Sequence, residues 1–279
     1  MKTVTLPRAP HKEESRALSF LYKNPLGRVI LRLLRAKWIS KLAGAFLDTR
    51  LSKPLIRPFV ENNNIDLNEY ESDNFTCFND CFCRKIKPEL RPLYKGDTVS
   101  PCDGLLSVYK IGSGAVYPVK QSEYTLASLL KNDALAKEFE NGYIYIFRLC
   151  VNHYHRYCYA VSGDKGGNIR INGTLHTVRP IALERVKVFC ENSREYTVID
   201  TAENGRVIQM EVGAMLVGKI KNLHGKKAVR KGEEKGMFLY GGSTVILITG
   251  GEIRPLEGLL ENTEAGFETP VKWGGQITE

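Results

Sequence analysis

The sequence predicts an α+β protein, a β-rich catalytic body behind an N-terminal basic amphipathic helical segment. Three observations carry that expectation. Apolar residues in the first 60 positions recur at helical three-four spacing, but beyond about Val99 they gather into short runs rich in β-branched and aromatic residues. Net positive charge is confined to the first region: residues 1–60 hold thirteen Lys or Arg against three acids, a net of +10 in a chain whose total is +9. A chain of 279 residues buries roughly three quarters of its unfolded surface, enough for a substantial core. The expected division is therefore 1–60, helical, and 61–279, β-rich.

In the first region Leu26, Val29, Ile30, Leu33, Leu34, Trp38, Leu42, Ala45 and Phe46 mark one helix face, punctuated by Arg28, Arg32, Arg35, Lys37 and Lys41. An apolar stripe flanked by cations fits a helix lying in an anionic membrane surface. The alternative is a helix docked on the protein's own core with a solvated basic face. The apolar face is too large for a nucleic-acid reader. Pro54, Pro58 and "ENNNID" close the segment. "MKTVTLPRAPHKEESR" has no apolar stretch of a secretory signal, and the longest uncharged run, Gly236 to Gly251, is shorter than the ~20 apolar residues of a membrane span. Seven cysteines then read as reduced thiols. Cys77, Cys81 and Cys83 lack a fourth ligand nearby, so no metal is expected.

In the second region "GLLSVYKIG", "GAVYPVK", "YIYIFRLCV", "RVIQMEVGAMLVGKI" and "TVILITGG" read as strands, "SGDKGG" and "AENG" as turns, and "YTLASLLKNDALAKEFE" as helix. One strand-forming run, "MFLYGGSTVILITGG", interrupts itself with Gly241-Gly242-Ser243. A serine held in a strained turn attacks its own preceding carbonyl if a base takes its proton. Gly242 has no Cβ to block that approach. Elimination from the resulting ester breaks the chain, and hydrolysis leaves a pyruvoyl ketone. For the base, "VNHYHRYCY" puts His153 and His155 on one face of an extended segment, beside Cys158. "SPCDG" offers Asp103 at a turn. Asp103, His155 and Ser243 would be orienter, base and nucleophile.

These residues resemble the phosphatidylserine decarboxylases, pyruvoyl enzymes that cleave themselves. "CFNDCFCRKIKPELRP" is similar to the family's Phe-Asn-x-Phe-Phe-x-Arg signature, "SPCDG" to Pro-Ala-Asp-Gly, and "YHRYC" to Tyr-His-Arg-x-His. "VGAMLVGKI" and "KGEEKGMFLYGGST" match the strand and cleavage motifs that follow. The resemblance implies scission between Gly242 and Ser243, giving a β chain of 1–242 and an α chain of 243–279. It implies a covalent pyruvoyl group made from Ser243, which forms a Schiff base with phosphatidylserine and releases carbon dioxide to give phosphatidylethanolamine. A homodimer of β/α heterodimers, peripheral on the cytoplasmic face of the cell membrane, is the implied setting. Cys158 stands where the family has its second histidine, and His153 where it has an aspartate. His155 is therefore the expected base, with Cys158 a site-lining thiol or, with a depressed pKa, the base itself. Arg156 is a candidate for the lipid phosphate. Two other readings stay open: a related pyruvoyl decarboxylase of a soluble amino acid, and a non-catalytic membrane-surface binding domain.

Overall fold

The computed structural model describes residues 6–8, 42, 44–119, 122–173, 192–213, 220–240 and 243–279. Most of the basic helical stretch, the thiol of Cys190, and Gly241 and Gly242 lie outside these residues.

Among the described residues fourteen strands form in chain order. They are β1 (Gly104–Lys110), β2 (Val116–Val119), β3 (Ser122–Thr125), β4 (Tyr143–Leu149), β5 (Arg156–Cys158), β6 (Gly163–Lys165) and β7 (Ile169–Ile171). β8 (Arg194–Asp200), β9 (Arg206–Val212), β10 (Ile220–Asn222), β11 (Lys227–Val229), β12 (Glu234–Phe238), β13 (Ser243–Thr249) and β14 (Thr269–Val271) complete the set. The main sheet runs β11-β6-β8-β9-β13-β4-β1-β14, with β7 also on β8. A small sheet runs β10-β12-β5, and β2 pairs β3. Each strand run expected from sequence holds a strand among the described residues, although residues 214–219 of "RVIQMEVGAMLVGKI" lie outside them, so the body is β-rich as predicted.

β13 is central and antiparallel to β4 on one side and β9 on the other. It is buried throughout, which is why its sequence is continuously apolar rather than alternating. Its two faces feed different cores. Val245 and Leu247 join Tyr145, Phe147, Leu149, Val207, Tyr157 and Phe238 under the small sheet. Ile246 and Ile248 join Ile144, Ile146, Met210 and Leu129 on the other side. That second face is covered by the β2–β3 hairpin and two short helices, Leu126–Leu130 and Asp133–Lys137. The single helix expected over 124–140 is thus broken in two. Lys131 adopts a left-handed conformation (φ 53°), and the Asn132 side chain then caps a new helix by accepting the Leu135 N–H at 3.0 Å.

Two buried side chains of β9 tie the small sheet to the large one. Gln209 donates to the Cys158 carbonyl (2.8 Å) and accepts from the Ala160 N–H (3.1 Å). Glu211 pairs with Lys235 of β12 at 2.5 Å, both fully buried, with Asn222 hydrogen-bonded to each. Burial raises the Glu211 pKa and lowers that of Lys235.

At the N-terminal side, a 3-10 turn over Arg50–Leu55 leads into helix α1 (Ile56–Asn62). Pro58 sits in the first turn of α1, where a missing N–H costs nothing. Leu47 is buried, whereas Leu42, Phe46, Leu51 and Leu55 are exposed, Leu51 at 77%. A second short helix, α2 (Phe78–Phe82), is anchored to this region: Ser52 Oγ accepts the Phe78 N–H at 2.9 Å.

Candidate active site

Topology alone brings the predicted residues to one edge of the main sheet. Ser243 opens β13 and pairs Leu149, the last residue of β4. Leu105 of β1 pairs Arg148 of β4, so Asp103, just before β1, reaches the same edge two strands away from Ser243. Strand spacing makes that separation roughly 10 Å between Cα atoms. The β4–β5 connection leaves from this edge and carries His153 and His155. Ser243 is 2% exposed, and by alternation with Val245 and Leu247 its side chain shares the face covered by the small sheet.

Asp103 is held by a partner that sequence reasoning did not nominate. Arg91 grips it bidentately, Nε to Oδ1 at 3.0 Å and Nη2 to Oδ2 at 2.6 Å, and the Trp273 N–H donates to Oδ1 at 2.8 Å. The carboxylate makes no hydrogen bond to His155. Its field falls instead on His153, raising that pKa against the larger lowering by burial. His153 Nδ1 accepts the Cys150 N–H at 3.1 Å, which fixes that ring as a neutral acceptor on this side.

His155 is fully buried. Its Nδ1 lies 2.8 Å from the His153 carbonyl oxygen. A carbonyl only accepts, so Nδ1 carries the proton and Nε2 carries the lone pair. Among the described residues Nε2 has no hydrogen-bond partner. Desolvation and then the Arg84 charge lower the His155 pKa to about 3. The result is a neutral, oriented imidazole with a bare basic nitrogen. The orienting acceptor that a triad assigns to a carboxylate is here a backbone carbonyl.

α2 fastens this imidazole to the segment that leads into Ser243. Phe82 lies against the His155 ring at 4.0 Å between centroids. Phe78 and Phe82 both meet Tyr240 edge-on, at 5.1 and 5.3 Å. Asn79 Oδ1 accepts the Tyr240 N–H (3.2 Å), and its Nδ2 donates to Asp48 (2.8 Å). The Phe238 N–H donates to the His155 carbonyl at 2.9 Å, and the Cys83 thiol to the Phe238 carbonyl at 3.3 Å. The chain is therefore held up to Tyr240 and again from Ser243. Gly241 and Gly242, expected from sequence as the cleavage turn, fall between these fixed points and outside the described residues.

The remaining candidates take supporting positions. Cys158 is fully buried beside the "SPCDG" turn, its N–H bonded to the Pro101 carbonyl at 2.8 Å. Burial drives its thiol pKa upward, the opposite of what a thiolate base requires. Arg156 is occupied by Glu234 (2.6 Å) and the Cys83 carbonyl (2.7 Å). Among the described residues no cluster of His, Cys, Asp and Glu has metal-site geometry. A cavity of about 170 Å³ is lined by Lys85, Arg91, Tyr154, Arg156 and Trp273 among others; His155 itself does not line it. Sequence reasoning missed Asn79, Arg84 and Arg91 as site residues. The only signal was that all three stand in "FNDCFCRKIKPELRP".

Comparison with known proteins points to one family. The family model described as phosphatidylserine decarboxylase matches residues 78–278. The chain is 44% identical to phosphatidylserine decarboxylase proenzyme 2 of Clostridium acetobutylicum over 94% of its own length and 91% of the relative's. It is 39% identical to a phosphatidylserine decarboxylase proenzyme of Clostridium botulinum, over 93% and 91%. For that of Clostridium perfringens the figure is 38%, over 93% and 92%.

Proposed function

The chain belongs to the phosphatidylserine decarboxylase family, and on that premise we propose that it is a proenzyme that cuts itself between Gly242 and Ser243 and then decarboxylates phosphatidylserine to phosphatidylethanolamine. The single observation that supports this most is the buried Nε2 of a neutral His155, unpartnered among the described residues, in a residue whose carbonyl holds the Phe238 N–H on the segment that leads to Ser243.

In the self-cleavage we assign, Ser243 Oγ attacks the Gly242 carbonyl carbon and His155 Nε2 accepts the hydroxyl proton. The peptide C–N bond breaks, the Ser243 nitrogen takes a proton, and an ester joins the two residues. A base then removes the Ser243 Hα as the Gly242 carboxylate departs. Water adds to the imine tautomer of the product, ammonia leaves, and residue 243 becomes a pyruvoyl group. Asp103 serves by fixing the floor of the site through Arg91 and the Trp273 backbone.

The residues present fit that group. The new terminus at 243 would stay in register, because residues 243–249 are laddered to β4 and residues 244–249 to β9. Residues 99 and 255 also bridge to 276 and 278. The pyruvoyl group supplies an electrophilic ketone that accepts the substrate amine and stores the electrons released with carbon dioxide. Phe82 packs on the His155 ring and Tyr240 on Phe82, which excludes water there, and Lys85, exposed at the mouth of the cavity, offers a charge to the lipid phosphate. Arg156, which sequence nominated for that task, lines the same cavity and is paired with Glu234 of β12 and the Cys83 carbonyl. Purified protein mixed with phosphatidylserine vesicles is expected to release carbon dioxide and form phosphatidylethanolamine. Release from free serine or another soluble amino acid, with none from the lipid, would favour the soluble-substrate reading.

The same proposal places the protein as a homodimer of β/α heterodimers, peripheral on the cytoplasmic face of the cell membrane. Support for the surface comes from Leu42, Phe46, Leu51 and Leu55, exposed together with the cations Arg50, Lys53 and Arg57. Among the described residues no helix is long and apolar enough to cross a membrane. Leu51→Asp with Leu55→Asp is expected to reduce pelleting with anionic vesicles about tenfold or more and to leave the melting temperature unchanged. Unaltered pelleting would remove this patch from the membrane contact.

A further inference from the structure

Arg84 is 2% exposed, yet among the described residues no carboxylate pairs with it. Its guanidinium donates to three backbone carbonyls: Nη1 to Cys81 (3.3 Å), and Nη2 to Asn152 (3.0 Å) and His153 (3.4 Å). The cation stacks over the Tyr70 ring at 4.5 Å. Among the described residues its Nε has no hydrogen-bond partner. Burying a cation without a counter-charge is costly, and a fold that needed only the packing would do better with an apolar residue. The carbonyl oxygen of His153 accepts from both Arg84 Nη2 and His155 Nδ1.

We infer that Arg84 is a positioning residue for the base, clamping the His153 carbonyl so that His155 must carry its proton on Nδ1, and repelling a second proton from Nε2. The clamp acts through shape: with Asn152 and His153 both held, the carbonyl has one direction in which to receive His155. The repulsion acts through charge, and it is the second cause, after burial, of the lowered His155 pKa. The other titratable groups around the ring do not compete for this role. His153 is neutral by burial and adds only a weaker lowering. The thiols of Cys81 and Cys83 are pushed up by burial to about 11 and about 12, Tyr154 is pushed up likewise, and Arg156 faces Glu234.

The inference rests on His155 as base, so its test reads the imidazole independently of cleavage. Full-length Ser243→Ala protein is labelled with nitrogen-15, and the imidazole resonances are followed from pH 8 to pH 4.5, His155 being assigned by loss of its signals in His155→Asn. The expected spectrum shows His155 protonated on Nδ1 and unchanged over the whole range. With Arg84→Gln added, the fork on the His153 carbonyl is gone, and His155 is expected to mix its two tautomers while burial, the larger cause, still holds it below the ordinary value of about 6.5. Arg84→Lys keeps the charge without the fork, so His155 is expected to stay neutral but to mix its two tautomers. In the chain with Ser243 intact, Arg84→Gln is expected to slow cleavage about twofold or more at pH 8, because part of the His155 population no longer carries its lone pair on Nε2. An Nε2-protonated His155 in the parent, or a single unchanged tautomer in Arg84→Gln, overturns the inference. Should Arg84→Gln give no dispersed spectrum, the Lys variant decides, and a single unchanged tautomer there overturns it. Normal imidazole behaviour with no cleavage in the parent would instead count against the proposed function.

Discussion

Ser243→Ala is expected to yield one uncut chain that forms no phosphatidylethanolamine at all. The loss is total rather than graded, because this one hydroxyl supplies both the nucleophile of self-cleavage and the carbon skeleton of the ketone. The substitution removes a single oxygen from a 2%-exposed position at the start of a strand paired on both sides. The fold is therefore expected to persist, with a melting temperature within a few degrees of the parent. Denaturing electrophoresis and a lipid assay on the same preparation read both consequences. Continued activity in an uncut Ser243→Ala chain would exclude the pyruvoyl mechanism. A variant indistinguishable from an equally uncut, inactive parent would leave a lipid-surface binding domain as the better account.

His155→Asn is expected to slow self-cleavage by about 10²–10⁴, the usual contribution of a positioned general base. Asparagine keeps a donor for the His153 carbonyl and is tolerated at a buried polar position, but it offers no lone pair of comparable basicity at the Nε2 position. The parent also carries a pH signature. A group whose folded pKa is lowered stays neutral to a lower pH, and its basic form is lost only as pH falls through that folded value. With His155 near 3, the cleavage rate is expected to show no acid limb between pH 8 and pH 5. An ordinary histidine would lose most of its base in that window. Incubating freshly refolded precursor across that range and quenching in denaturant gives the profile. An acid limb centred near 6.5 would place the base on a different, solvated group.

How far the sequence carried these conclusions depended on the kind of signal involved. The strand runs were legible because each contrasts with Gly-, Asn- and Asp-bearing turns, and "TVILI" read as buried because it lacks alternation. The helix over 124–140 broke because the left-handed Lys131 and the Asn132 cap act on a scale finer than apolar spacing reveals. Asp103, His155 and Ser243 were legible as chemistry-bearing residues, and the topology does bring their segments to one sheet edge. Their pairwise contacts were not legible. Asp103 and Arg91 are twelve positions apart with nothing in spacing to join them, and the acceptor for His155 is a backbone carbonyl, which no side-chain pattern encodes. Arg84 was hidden for a different reason: an arginine is ordinarily a solvated surface residue, and only three-dimensional burial shows otherwise.

The central claim is that Gly242-Ser243 is a bond this protein is built to break. Because β13 lies in the middle of the main sheet, the two pieces would remain associated in the folded protein, and only a denaturing measurement separates them. The intact mass of purified protein in denaturant tests the claim most directly. The account predicts two chains, 242 and 37 residues long, the shorter one lighter by one ammonia than a peptide beginning with serine. A single unmodified chain of 279 residues, persisting after incubation with anionic vesicles, would contradict it.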